Sequence, residues 1–154
     1  GCLEASCHEG SLVVAGTESA RQTADDFCNI CYVEELRQAP SLRLECHHVF
    51  HFACLQRRMQ HRWHGARIAF AYLECPLCKH WIAHPAFADI VAEGKKLFEE
   101  VQRRALARLQ LEPGAGSTPP ELQPGGRFHQ RPADFAMHKF AFYLCSKCQQ
   151  PYFD

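Results

Sequence analysis

The chain has 154 residues, 47% of them hydrophobic, with 17 basic and 17 acidic side chains and a formal net charge of zero. That length holds one or two small domains rather than one large enzyme core, and the charge balance gives no global pull toward nucleic acid or an anionic membrane. The longest apolar run, Ile68 to Leu73, is six residues, far short of the roughly 20 a membrane helix needs.

Taken in order, residues 1–24 are small and polar and carry Cys2, Cys7 and His8. They lack the basic start and apolar stretch of a secretory signal. The opening Gly and the stop at Phe153-Asp154 read as those of a piece of a longer protein. Residues 25–84 are dense in Cys and His. Within them, Leu55 to Trp63 reads as a helix with Leu55 and Met59 on one face, and Ile68 to Glu74 as a short strand leading into Cys75. Trp63 is expected in the core. Pro85 suits a first helical turn, and Ile90, Leu97, Val101, Ala105 and Leu109 recur at mostly helical spacing through 85–111. Gly94 is expected to kink or weaken that helix by about 1 kcal/mol. Residues 112–126 hold eight Pro or Gly in fifteen and read as a mobile linker or long loop. Residues 127–154 are aromatic-rich, and FAFYLCSKCQQPYF within them reads as strand, metal turn, strand.

The unusual counts are ten cysteines and ten histidines. C-x2-C occurs at Cys28/Cys31, Cys75/Cys78 and Cys145/Cys148. Such a pair places two sulfurs on one tight turn, where both reach a single zinc ion. As a disulfide, so short a loop would remove little entropy from the unfolded chain. The central cysteines are also interleaved with histidines, which a disulfide framework does not require. Zinc ligation in an intracellular, reducing compartment, cytoplasmic or nuclear, is the expectation.

The central pattern is C-x2-C-x14-C-x-H-x2-H-x2-C-x20-C-x2-C, from Cys28, Cys31, Cys46, His48, His51, Cys54, Cys75 and Cys78. Eight donors make two closed tetrahedral sites. His47 competes with His48, and C-x-H spacing favours His48. His61, His64, His80 and His84 are surplus to the eight.

This order resembles a RING domain with two central histidines. The resemblance implies a small zinc-stabilised α+β fold with crossed ligation: Cys28, Cys31, His51 and Cys54 on the first zinc, Cys46, His48, Cys75 and Cys78 on the second. Two ions, each contributing roughly 10–16 kcal/mol of apparent binding energy, would stand in for a large core. It also implies a surface for a ubiquitin-conjugating enzyme, built from Ile30, Pro76 and Leu77, with Lys79 contacting both enzyme and ubiquitin. Arg58 is a departure, because many RING domains carry an aromatic residue there.

The stretches ADDFCNICYVEEL, LECHHVFHFAC, YLECPLCK, KKLFEEVQRRALARL and GGRFHQRPADFAMHKFAFYLCSKCQQPYF are similar to the Pam/Highwire family of giant ubiquitin ligases. The likeness covers most of the chain from Asp25 onward and implies an order of parts. Residues 1–24 end a Cys-rich segment, 25–84 form the RING, 85–111 a connecting helix, 112–126 a flexible loop, and 127–154 begin a zinc-binding hairpin domain. It further implies a relay, in which one cysteine on a mobile loop and then a second carry ubiquitin as thioesters to a substrate hydroxyl, threonine favoured. No cysteine lies between Cys78 and Cys145, so the loop position falls at Ser117. Either the relay is absent or serine replaces cysteine, and a hydroxyl is a poor substitute for a thiol. Cys145 and Cys148, and likewise Cys2, Cys7 and His8, are expected to be partial zinc sites rather than nucleophiles, the partners of Cys145 and Cys148 lying beyond Asp154.

Two other readings compete with the relay. One is a RING ligase that promotes direct transfer. The other is a zinc-dependent interaction module without transfer activity. The basic stretch Arg57, Arg58, Arg62 and Arg67 with His61 and His64 could meet phosphates, but a solvated helix face accounts for it more simply, so nucleic acid is not an expected partner. Ubiquitin, its conjugating enzyme and a protein substrate are.

Overall fold

The alternation of buried and exposed side chains in Ser41-Leu42-Arg43, and the wholly buried Val49-Phe50-His51, set up the first hairpin. In the computed structural model, which describes residues 22–112 and 117–153, strand β1 (Ser41–Arg43) pairs antiparallel with β2 (Val49–His51), and Leu42 faces Phe50. Residues 44–48 turn the corner. His47 sits in the left-handed region at φ 69°, and Leu44 donates to the His48 carbonyl at 2.9 Å.

Helix α1 (Phe52–His61) follows β2 without a break. Leu55 and Met59, one turn apart, are both fully buried. The helix therefore begins before the expected Leu55, and Cys54 lies in its first turn. The core of this unit gathers Leu36, Leu42, Leu44, Val49, Phe50, Leu55, Met59, Tyr72, Leu73, Ile82 and Phe87. Trp63 packs against it, its ring 6.0 Å from that of Tyr72, as expected.

The expected strand from Ile68 to Glu74 does not form as one. Ala71–Leu73 is a single 3₁₀ turn that buries Tyr72 and Leu73. Ile68 is recruited elsewhere, donating its N–H to Phe142 at 2.8 Å, while Arg67 bridges Tyr143. An apolar run carries no information about which residues it serves, and here its two ends serve different cores.

The chain divides into two compact units. The first comprises described residues 22–63 and 69–92; the second, 64–68 with the described residues from 93 onward. Helix α2 (Ala88–Leu111), preceded by a 3₁₀ turn at Pro85–Phe87, runs through the boundary, and Gly94 is buried within its continuous course.

In the second unit, α2 buries Val101 and Ala105, four residues apart. Helix α3 (Pro132–Lys139) opens on Pro132, with Asp134 in its first turn and His138 and Lys139 in its last, which suits the helix dipole. Strands β3 (Phe142–Leu144) and β4 (Pro151–Phe153) form the expected hairpin around the Cys145/Cys148 turn. Arg104 donates to the Pro151 carbonyl at 2.5 Å, and the Arg108 guanidinium lies 4.9 Å from the Phe153 ring centroid, so the last turns of α2 hold β4. The described part of the Pro/Gly-rich stretch is a series of turns, including a 3₁₀ turn at Pro120–Leu122.

Candidate metal centre

Two C-x2-C turns and one hairpin corner supply the donors. In each C-x2-C turn the residue after the second cysteine takes a positive φ: Tyr32 at 55° and Lys79 at 64°. That conformation aims its N–H back at the first cysteine's carbonyl, at 2.9 Å for Tyr32→Cys28 and 3.0 Å for Lys79→Cys75. The turn closes and both sulfurs face one point. His51 ends β2 at the N-cap of α1 and Cys54 lies in the first turn, so their spacing of three places both on one face.

Cys28, Cys31, His51 and Cys54 bring one donor atom each to within 4.8 Å of one another, and Cys46, His48, Cys75 and Cys78 do the same. The grouping is crossed: each set joins an early and a late segment. His47, with its own positive φ, is left out, and His48 supplies the donor.

The edges suit a tetrahedral ion. A zinc with Zn–S of about 2.3 Å and Zn–N of about 2.05 Å has S···N edges of about 3.6 Å. His51 Nδ1 lies 3.7 Å from Cys31 Sγ and 3.8 Å from Cys54 Sγ, and His48 Nδ1 lies 3.5 Å from Cys75 Sγ. The outer nitrogen of His51 also has a partner, Nε2 standing 3.0 Å from the Glu35 carbonyl oxygen. Donation from Nε2–H to that carbonyl leaves the Nδ1 lone pair free for a metal and fixes the ring's orientation.

The electrostatics call for a cation. Backbone N–H groups of Val33 and Glu34 hold the Cys31 thiol down at about 6, with His51 and Cys54 adding to them. Burial pushes Cys54 up to about 12, and the neighbouring Cys28 and Cys31 add to the rise. In the second set burial raises Cys46 to about 12, and raises Cys75 as well. Burial also acts on Cys78, but hydrogen bonds with His80, Cys75 and Cys46 together outweigh it and hold that thiol at about 6. The first set thus offers one ready thiolate, Cys31, beside Cys54, and the second offers Cys78 beside Cys46 and Cys75. Cys54, Cys46 and Cys75 ionise readily only beside a positive charge, as a dication provides. No disulfide forms among the described residues. A set with four protein donors leaves a bound ion no open position at which to activate water, so an ion held by either set would serve as scaffold.

The third turn, Cys145/Cys148, has the same geometry. Gln149 takes φ 56° and donates to the Cys145 carbonyl at 2.9 Å. The N–H groups of Cys148 and Lys147 lower the Cys145 thiol. Among the described residues no further donors join this pair. Cys2, Cys7 and His8 lie outside the described residues.

Of the expected docking residues, Leu77 is 42% exposed and Lys79 is exposed, its ammonium 3.2 Å from the Pro76 carbonyl. Ile30 and Pro76 are half-buried, Ile30 packing against the core. Three apolar side chains that sequence reasoning missed stand beside the first turn: Phe27, Tyr32 and Val33, at 54%, 70% and 74% exposure. Of the three only Tyr32 occupies the left-handed position that closes the C-x2-C turn; Phe27 and Val33 carry no such signal. Arg58 donates Nη2 to the Ala71 carbonyl at 2.8 Å and so pins the 3₁₀ turn below Cys75. Ser117 is exposed.

No protein-family profile matches the chain. Two relatives do. The chain is 44% identical over 133 residues, 86% of its length, to a Danio rerio protein named E3 ubiquitin-protein ligase MYCBP2. It is 38% identical over 157 aligned residues, 99% of its length, to a Drosophila melanogaster protein named E3 ubiquitin-protein ligase highwire. It spans about 3% of the length of either relative. With this likeness running along nearly all of it, the chain belongs to the Pam/Highwire family.

Proposed function

We propose that this region, loaded with two zinc ions, recruits a ubiquitin-charged conjugating enzyme and promotes discharge of its ubiquitin. The observation that carries the reading is the crossed grouping of the eight donors, with Leu77 and Lys79 exposed and Ile30 and Pro76 half-buried on the two C-x2-C turns. Zinc fixes those turns but performs no chemistry on substrate; its four protein donors fill its coordination sphere. Leu77, together with the half-buried Ile30 and Pro76, offers an apolar contact to the conjugating enzyme. Lys79 offers a cation to a carbonyl shared between enzyme and ubiquitin. Such a contact restrains the flexible thioester in a reactive pose, a positioning effect.

One observation bears on how the ubiquitin leaves. Every described cysteine belongs to one of the two donor sets or to the Cys145/Cys148 turn. The chain's own described residues therefore serve recruitment and direct discharge. Ser117 is too weakly acidic to accept ubiquitin at the rate of a thiol. In the relay reading the hydroxyl-directed transfer of the family draws its nucleophiles from elsewhere. We assign Cys145 and Cys148 to half of a further zinc site, on the strength of their shared turn geometry.

The test is single-turnover discharge from a panel of charged conjugating enzymes by the zinc-loaded chain. At least one enzyme is expected to discharge faster. Leu77→Ala is expected to weaken binding about tenfold, a loss of about 1.4 kcal/mol at an interface anchor. Lys79→Ala is expected to slow discharge while leaving binding nearly unchanged. A chain that accelerates no enzyme, or in which Leu77→Ala changes nothing, overturns the reading. A ubiquitin adduct on the chain that reductant removes would favour a relay over direct discharge.

A further inference from the structure

Between α2 and α3 the chain carries a cationic group that recruitment does not use. The buried Phe128 is flanked by two exposed arginines, with Arg127 Cζ 5.2 Å and Arg131 Cζ 5.9 Å from its ring centroid. Arg131 donates Nη2 to the Arg127 carbonyl at 2.7 Å, and its Nη1 lies 3.5 Å from Asp134. Among the described residues no carboxylate pairs with Arg127. Two like charges thus share one ring and one distant carboxylate. A dianion placed between them would satisfy both.

The same turn holds a hydroxyl that can become that dianion. Thr118 is exposed and is followed by Pro119, whose extended backbone (φ −52°, ψ 145°) is the form a kinase cleft accepts. Its carbonyl accepts from Gln123 Nε2 at 2.8 Å. Phe128 donates its N–H to Glu121 at 2.9 Å. Gly126 packs so closely that a Cβ there would lie 2.5 Å from the Pro120 carbonyl oxygen. Arg127 is the next residue, and Thr118 lies two before Pro120. Two residues span at most about 7 Å, so the Thr118 Cα lies no farther than that from the Pro120 Cα.

We propose that Thr118 is a phosphorylation site for a proline-directed serine/threonine kinase, and that Arg127 and Arg131 clamp the resulting phosphothreonine. In the transfer, Thr118 Oγ1 forms a bond to the γ-phosphorus of ATP, and the bond from that phosphorus to the bridging oxygen of ADP breaks. The hydroxyl proton passes to the kinase's base, and ADP leaves. The product carries about −1.5 to −2 charge and three acceptor oxygens, matched to two guanidinium forks. Ser117 precedes Thr118, not proline, and does not fit the pattern. Clamping would lock the 117–131 turn against the start of α3. The proposal stands independently of the recruitment reading.

The test treats the zinc-loaded chain with a purified proline-directed kinase and ATP, maps the phosphate by peptide mass spectrometry, and follows its ³¹P shift against pH. One phosphate on Thr118 is expected, titrating below the value of about 6 that an unclamped phosphothreonine shows. The Arg127→Ala/Arg131→Ala variant should restore that value, and the double lysine variant should retain most of the depression. Since both side chains are exposed, circular dichroism is expected to show intact folds. Two results overturn the proposal. One is no phosphate on Thr118 when a free peptide covering 112–125 is phosphorylated. The other is the same titration in wild type and the double-alanine variant.

Discussion

The side-chain amide of Gln22 pairs with both backbone groups of Val49. Nε2 donates to the Val49 carbonyl at 3.0 Å, and Oε1 accepts from the Val49 N–H at 2.7 Å. Gln22 thereby acts as one more strand residue on the edge of β2, between His48 and His51. The pair is buried, so its loss leaves polar groups without partners. Gln22→Ala is expected to lower stability by about 2 kcal/mol, read as a lower melting temperature of the zinc-loaded chain. Gln22→Glu should be at least as harmful, since a carboxylate would face the Val49 carbonyl. An unchanged melting temperature in both variants would mean that water replaces the amide freely.

Removal of metal should act mainly on the first unit. Its core rests on β1, β2, α1 and turns that the donor sets tie together. A chelator is expected to collapse near-ultraviolet signals from Trp63 and Trp81, and elemental analysis of the loaded chain should find at least two ions. The pH dependence has a definite sign. Cys46 and Cys54, pushed up to about 12 by burial, are protonated in the metal-free protein at neutral pH. They must release protons when the cation enters, so affinity rises with pH and falls on acidification. Competition with a chromogenic chelator at two pH values on either side of neutrality reads this directly. An affinity independent of pH would argue against thiolate ligation.

Much of the metal centre was legible because its rules are local. C-x2-C forces a tight turn, and the three-residue step from His51 to Cys54 is one helical turn. The choice of His48 over His47 follows from side-chain direction in a short corner. What stayed hidden was non-local. Gln22 looked like part of a polar lead, and its partner lies 27 residues on. The Glu35 carbonyl that orients His51 has no side-chain signature at all. Ile68 read as a strand leading into Cys75 because its neighbours are apolar, but its hydrogen bond goes to Phe142 in the second unit.

That last relationship gives a prediction. Ile68 is buried in the second unit, its N–H held by the Phe142 carbonyl at 2.8 Å. The segment 64–68 thus extends the β3–β4 hairpin, which as two strands alone would be marginal in water. Ile68→Ala is expected to cost about 2–4 kcal/mol. Hydrogen exchange should quicken at residue 68 and along β3 and β4, with the zinc count unchanged. Exchange confined to residue 68 itself would show that the hairpin stands without it.

Gly126 sets the turn on which the second unit's entry depends. A Cβ at this position would meet the Glu121 carbonyl oxygen at 2.4 Å, the Pro120 carbonyl oxygen at 2.5 Å and the Glu121 carbonyl carbon at 2.6 Å. All three are backbone atoms, which cannot swing aside as a flexible side chain would. Gly126→Ala must therefore open the turn, breaking the bond from Gly126 N–H to the Gln123 carbonyl at 2.8 Å and weakening that from Phe128 to Glu121. A loss of about 1–3 kcal/mol is expected, the usual range for overpacking. Gly125 is a useful control. It has φ 87° and open space around it, so Gly125→Ala meets backbone strain alone, and Gly125→Asn should be tolerated better, because asparagine enters the left-handed region more readily. Proteolysis in 117–130 reads the difference: Gly126→Ala should be cut fastest, Gly125→Asn close to wild type. If Gly126→Ala is cut no faster than wild type, the close packing of this turn does not hold it together.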